Sequence, residues 1–145
     1  MSALTFILVV LVAFIAGVAS VVDERQFHRP LVACTLMGFA LGDPTTGIML
    51  GGALELIALG WMNVGAAMAP DSALASTISA VVVIQGHQDI TTGIAIAVPL
   101  AAAGQVLTIF VRTITVFFQH QADNFAKTAN FRGIELMHIS GMVLQ

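Results

Sequence analysis

Four charged side chains stand between residues 30 and 110, and all of them are acidic: Asp43, Glu55, Asp71 and Asp89. Each is set in apolar, glycine-rich sequence with no Lys or Arg close by in the chain. A lone carboxylate in hydrocarbon costs roughly 2.5–3.5 kcal/mol on insertion scales, so such residues line polar cavities, cap broken helices or lie at a membrane surface. Glu55 is the sharpest of them, because it falls mid-helix in Leu50-Gly-Gly-Ala-Leu-Glu-Leu-Ile-Ala-Leu, where no cap role is open to it. Gly51 and Leu59 share its face at one-turn spacing, which leaves the helix thin beside the carboxylate. A carboxylate there either accepts two sugar hydroxyls or is protonated and simply buried; an intramembrane ionisable residue is read by default as functional.

Gly60-Trp-Met-Asn-Val-Gly65 follows at once. Flanking glycines predict an unwound turn that presents the Trp61 ring beside the Asn63 amide. That pairing suits a sugar, whose C–H face packs on an aromatic while its hydroxyls need fixed partners. Trp61 reads equally well as an interfacial belt residue. Asp71 stands after Pro70 and before Ser-Ala-Leu-Ala-Ser, the place of an N-cap, and capping is compatible with substrate contact. Asp43 and Asp89 open the related segments Asp43-Pro-Thr-Thr-Gly-Ile and Asp89-Ile-Thr-Thr-Gly-Ile, which read as two helix starts built with one chemistry. The histidines at 28, 87, 120 and 138 have no metal-ligand spacing, and no phosphate loop, nucleophile elbow or catalytic carboxylate pair occurs. Neither a metal nor a cofactor is expected.

The elements that must hold these residues are hydrophobic. The chain is 58% hydrophobic and 9% charged, with a mean hydropathy of +0.97, well outside soluble usage. A net charge of −3 without any basic cluster excludes nucleic acid as a partner. The expected class is an all-α integral membrane protein. Ala3–Val22 has no charge over its whole length, enough to cross about 30 Å of hydrocarbon as a helix. A second clean run covers residues 90–111. Between them, residues 31–41, 45–59 and 72–84 are each too short to cross, and Gly, Pro and Asp separate them. Short interrupted segments of this kind are the trace of discontinuous or re-entrant helices, which hold substrate sites in many transporters. Residues 23–30 and 119–133 read as polar connections. Arg25 and Arg29 in the first, with Lys127 and Arg132 in the second, place both on the cytoplasmic side. Gly38/Gly42 and Gly47/Gly51 are small-xxx-small pairs and predict close helix packing.

Taken together, these stretches resemble the membrane subunit IIC of the mannose/fructose/sorbose family of bacterial sugar phosphotransferase systems. The resemblance is carried by Asp23-Glu-Arg-Gln-Phe-His-Arg-Pro-Leu, by the run from Gly47 through Leu50-Gly-Gly-Ala-Leu-Glu to Trp61-Met-Asn-Val-Gly-Ala-Ala, and by Ala69-Pro-Asp-Ser-Ala-Leu-Ala-Ser. Pro99-Leu-Ala-Ala-Ala-Gly-Gln-Val-Leu and Val111-Arg-Thr-Ile-Thr-Val extend it further along the chain. It implies a single membrane domain over residues 1–145, the N-terminal half of a family-length chain in a bacterial cytoplasmic membrane. It also implies a second membrane subunit, IID, a trimer-based assembly, and soluble IIA and IIB components that carry the phosphoryl chemistry. On that picture the chain is no enzyme by itself: it binds a hexose and passes it across the membrane for phosphorylation by IIB. Glu55, Asn63, Asp71 and Trp61 fall within the distinctive motifs and are the expected sugar contacts. The alternatives are a non-transporting scaffold or receptor that assembles with IID, and an ion-coupled secondary transporter.

Overall fold

The apolar run Ala3–Val22 forms one helix, α1. At 1.5 Å per residue it is about 30 Å long, the thickness of a bilayer core. Only Ala16 and Ala19 on it are buried, while Phe6, Ile7 and Phe14 are each at least 60% exposed. An apolar surface that large is untenable in water and suits a helix bathed in lipid. The structure is a computed structural model and describes residues 2–22, 26–65 and 67–144. Of the first charged connection, Asp23, Glu24 and Arg25 lie outside the described residues.

After α1 come α2 (Pro30–Leu41), α3 (Pro44–Ala58), α4 (Ser72–Gln85), α5 (Ile90–Lys127) and α6 (Phe131–Leu144). The three short apolar segments are thus three short helices, and at 12–15 residues each is about 18–22 Å long, below bilayer thickness. The described residues contain no strand, only a bridge between Val64 and Ala67. The chain divides into two compact units, Met1–Gln105 and Val106–Gln145.

Within the first unit, α2 and α3 form an antiparallel hairpin whose turn follows from three residues. Gly42 takes φ 86°, and its N–H donates to Phe39 O while the Asp43 N–H donates to Gly38 O at 2.9 Å. This is the double bond of a Schellman stop, which needs a residue free to adopt positive φ. Asp43 then starts α3: its carboxylate accepts from the Thr46 amide at 3.1 Å and the Thr46 hydroxyl at 2.6 Å, and Pro44 supplies the fixed first turn. Asp89 repeats the device at α5, accepting from the Thr92 amide and hydroxyl at 2.8 and 2.6 Å. The Thr hydroxyls hold both carboxyls below the usual carboxylate range. The shared segment is therefore one capping solution used twice.

Glycine sets the spacing of the hairpin. A Cβ on Gly47 would lie 2.5 Å from Cys34 O and 3.0 Å from the Gly38 Cα. One on Gly51 would meet Pro30 O and the Leu31 Cα at 3.0 Å. Gly42, the other half of the Gly38 pair, faces open space and serves only the turn, which corrects its expected packing role. The α4 helix packs on α2, with Cys34 Sγ donating to Ser76 O and Ala73, Ala75, Ser76, Thr77, Ser79 and Ala80 buried. Ala16, Ala33 and Ala73 join α1 to this layer, again through small side chains.

The buried Ser79 hydroxyl finds no hydrogen-bond partner among the described residues. An unmade buried hydrogen bond costs about 1–3 kcal/mol. Ser79→Ala should therefore leave the thermal midpoint of the purified protein unchanged or raise it. A fall of several degrees would mean that the hydroxyl is bonded outside these residues.

In the second unit the later part of α5 pairs with α6 through a turn at residues 128–130. Here the structure departs from expectation. The polar run 119–133 predicts a loop, yet it is helical through Lys127 and resumes at Phe131. Gln, Ala and Lys in that run are good helix formers, Lys127 complements the C-terminal dipole, and a Cβ on Gly133 would touch the Phe125 ring at 2.6 Å. Polarity reports contact with water, and a wet helix is as polar as a loop.

Candidate functional site

Contacts at one end of the first unit collect the candidate residues. Arg29 and Pro30 open α2 there, Glu55 comes up on α3, and Asp71 and Ser72 begin α4. The Ser72 hydroxyl donates to His28 O at 3.3 Å, joining the residues before α2 to the start of α4.

Glu55 is not alone. Its Oε1 accepts from Arg29 Nε at 2.6 Å and also lies against Arg29 Nη2. Its Oε2 accepts from the Leu31 amide at 3.1 Å. The N-cap of α2 is Arg29, whose side chain cannot accept, so the first amides of that helix lack a local partner. Glu55 fills the gap from the neighbouring helix and places its negative charge at the positive end of α2. The expectation of an uncompensated carboxylate is corrected: the cation is 26 residues away in sequence, beyond any reading along one helix. Gly42 stands midway between Arg29 and Glu55 in the chain, so a hairpin turning at Gly42 sets the two opposite one another. That symmetry is the signal the sequence held for Arg29.

Asn63 and Asp71 belong to the strap between α3 and α4. Asn63 Oδ1 accepts from the Ala69 amide at 2.8 Å, closing the strap on itself. Val64 and Ala67 exchange two backbone bonds at 3.1 Å, with Gly65 at φ 60° between them. Asp71 caps α4 through the Leu74 amide at 3.0 Å, and its own amide donates to Ala101 O on α5. Gln105 Nε2 donates to Met68 O at 2.6 Å, and Gly104 leaves the space that the Asp71 side chain occupies. The strap is thus fastened to α5 at three neighbouring positions. Trp61 is half-buried against the core of Cys34, Met37, Leu50, Leu54 and Ala101.

Glu55 and Asp71 therefore sit at the same end of the unit, linked through the His28–Ser72 bond, while Asn63 and Trp61 lie along the strap between them. No direct bond joins the Glu55 carboxylate to the Asn63 amide or to the Asp71 carboxylate. Arg29, Gln105 and His28 are the additions that sequence reading did not single out. Among the described residues no group of three His, Cys, Asp or Glu side chains comes together. A groove of about 320 Å³ in the second unit is lined by Thr115, Gln119 and His138 among others, and contains none of the four candidates.

Residues 3–145 match the family model described as the PTS system sorbose-specific IIC component. The fructose permease IIC component of Bacillus subtilis is 66% identical over 145 residues, all of this chain and 54% of the relative. The mannose-specific EIIC component of Escherichia coli is 63% identical, over 98% of this chain and 53% of the relative. Among solved structures, the mannose transporter ManYZ in complex with a microcin superposes with a TM-score of 0.92 at 62% identity, covering 99% of this chain and 58% of the other. The chain spans about half the length of the curated relatives it matches. By the extent and identity of these matches, it belongs to the family of sorbose-specific IIC components of the phosphotransferase system.

Proposed function

We propose that this chain contributes to the sugar-translocating membrane subunit of a mannose-type phosphotransferase system. In this role it binds a hexose and passes it across the bacterial cytoplasmic membrane. The observation that carries the reading is identity above 60% along the whole chain with relatives named for fructose, sorbose and mannose. Glu55, Asn63, Asp71 and Trp61 are the proposed hexose contacts: Glu55 and Asp71 stand at the shared end of α2, α3 and α4, and Asn63 and the half-buried Trp61 lie on the strap that joins α3 to α4. Phosphoryl transfer belongs to the soluble IIA and IIB components, and the membrane partner is IID, in an assembly built on trimers. The test uses membranes holding the family-length chain, IID and phosphorylated IIB. They should release hexose phosphate, and membranes lacking this chain should not. Equal release without it would overturn the reading.

An orientation follows from the same reading. The connection at 23–30 and the end of the α5–α6 hairpin lie on the cytoplasmic side, from Arg25, Lys127 and Arg132. Arg29 carries less weight here, because Glu55 already balances it. Cysteines at Gln26 and Asn124 in a Cys34→Ser background should be shielded from a membrane-impermeant thiol reagent in intact cells and labelled in inverted vesicles. Labelling from outside would reverse the orientation.

A further inference from the structure

We propose that Arg29 is a positioning residue for the hexose: it locks the Glu55 carboxylate in one orientation and leaves a single lone pair on Oε2 for a sugar hydroxyl. The inference rests on the reading of Glu55 as a hexose contact. A carboxylate offers about four lone-pair sites. Oε1 faces Arg29 through both Nε and Nη2, and Oε2 already takes the Leu31 amide. With three of the four directions taken, one acceptor direction remains, on Oε2. The side chains of Arg29 and Glu55 remain 28% and 20% exposed, so a solute can reach the pair without breaking it. The guanidinium is a rigid fork that seats two N–H groups on Oε1, and with the Leu31 amide holding Oε2 the carboxylate plane is fixed in a way that a single ammonium on Oε1 does not secure. The backbone on either side is held as well: His28 O is tied to Ser72, and Pro30 sets the first turn of α2. The acceptor on Oε2 is thus placed by three helices.

The experiment uses the family-length chain co-purified with IID in nanodiscs, with mannose and fructose as probes, and reads affinity by calorimetry alongside the thermal midpoint. Arg29→Gln should weaken hexose binding tenfold or more. Arg29→Lys keeps the charge without the fork and should recover part of the loss, remaining at least threefold weaker than the parent. The double variant Arg29→Met with Glu55→Leu replaces the pair by apolar side chains; it should recover the thermal midpoint but not the binding. A purely structural pair would give the opposite result, with binding returning together with stability. Parent affinity in Arg29→Gln with binding weakened in Glu55→Gln overturns the positioning role and leaves Glu55 as a contact. Parent affinity in both variants removes the site itself. If Arg29→Gln yields no folded complex, Arg29→Lys decides: parent affinity there overturns the proposal.

Discussion

Glu55→Leu should reduce hexose binding to the assembled complex below detection, while Glu55→Gln should weaken it without abolishing it. Leucine removes the acceptor that the proposed site would offer a sugar and also orphans the Arg29 guanidinium and the Leu31 amide. Each unpaired group costs about 1–3 kcal/mol, or roughly 5- to 150-fold in an equilibrium constant when the loss falls on binding. Glutamine keeps one carbonyl oxygen, enough for either Arg29 or the Leu31 amide but not for both and a hydroxyl. Part of the leucine effect will appear as a lower thermal midpoint, because a partly buried cation is left without its partner. Calorimetry on the folded fraction separates the two losses. Parent-like affinity in Glu55→Leu would make Glu55 a structural cap of α2 and put the cavity elsewhere.

Much of this architecture is legible in single residues, because local chemistry decides it. The breaks at Gly42-Asp43-Pro44 and Gln85-Gly-His-Gln-Asp are where α2 and α4 stop, and the Asp-x-x-Thr segments cap the helices that follow. Asp71 as an N-cap is equally local. The misses at the site involve groups that meet only after folding. Arg29 stands in the charged run before α2 and looks like loop chemistry until the hairpin brings Glu55 over it. Gln105 looks like one more polar residue in a long apolar helix, yet its amide fastens the strap at Met68. At residues 119–127 the difference is of another kind, since polar composition marks contact with water and leaves the backbone conformation open. Gly42 shows the same limit, because one glycine spacing serves either packing or a turn, and only φ distinguishes them.

The hairpin itself carries the largest expected effect on folding. Gly51→Leu should abolish recovery of folded protein, and Gly47→Ala should come close to doing so. The clash partners at Gly47 are the Cys34 carbonyl and the Gly38 Cα, backbone atoms that cannot rotate away. Accommodation requires α2 and α3 to separate, and separation breaks the Arg29–Glu55 pair, the Leu31 cap and the core around Leu50 and Leu54 together. In lipid no hydrophobic force pulls the helices back, since acyl chains replace side-chain contacts at little cost and close packing is what holds them. Gly52 provides the control. It lies on the same helix, and a Cβ added there would meet nothing within 4 Å, so Gly52→Ala should gain up to about 1 kcal/mol of helix propensity. Detergent-solubilised yield and a monodisperse elution profile read the contrast: Gly52→Ala like the parent, Gly47→Ala and Gly51→Leu lost to aggregate. Recovery of Gly51→Leu as a well-folded chain that merely fails to hold IID would move this glycine face from the inside of the hairpin to the interface between subunits.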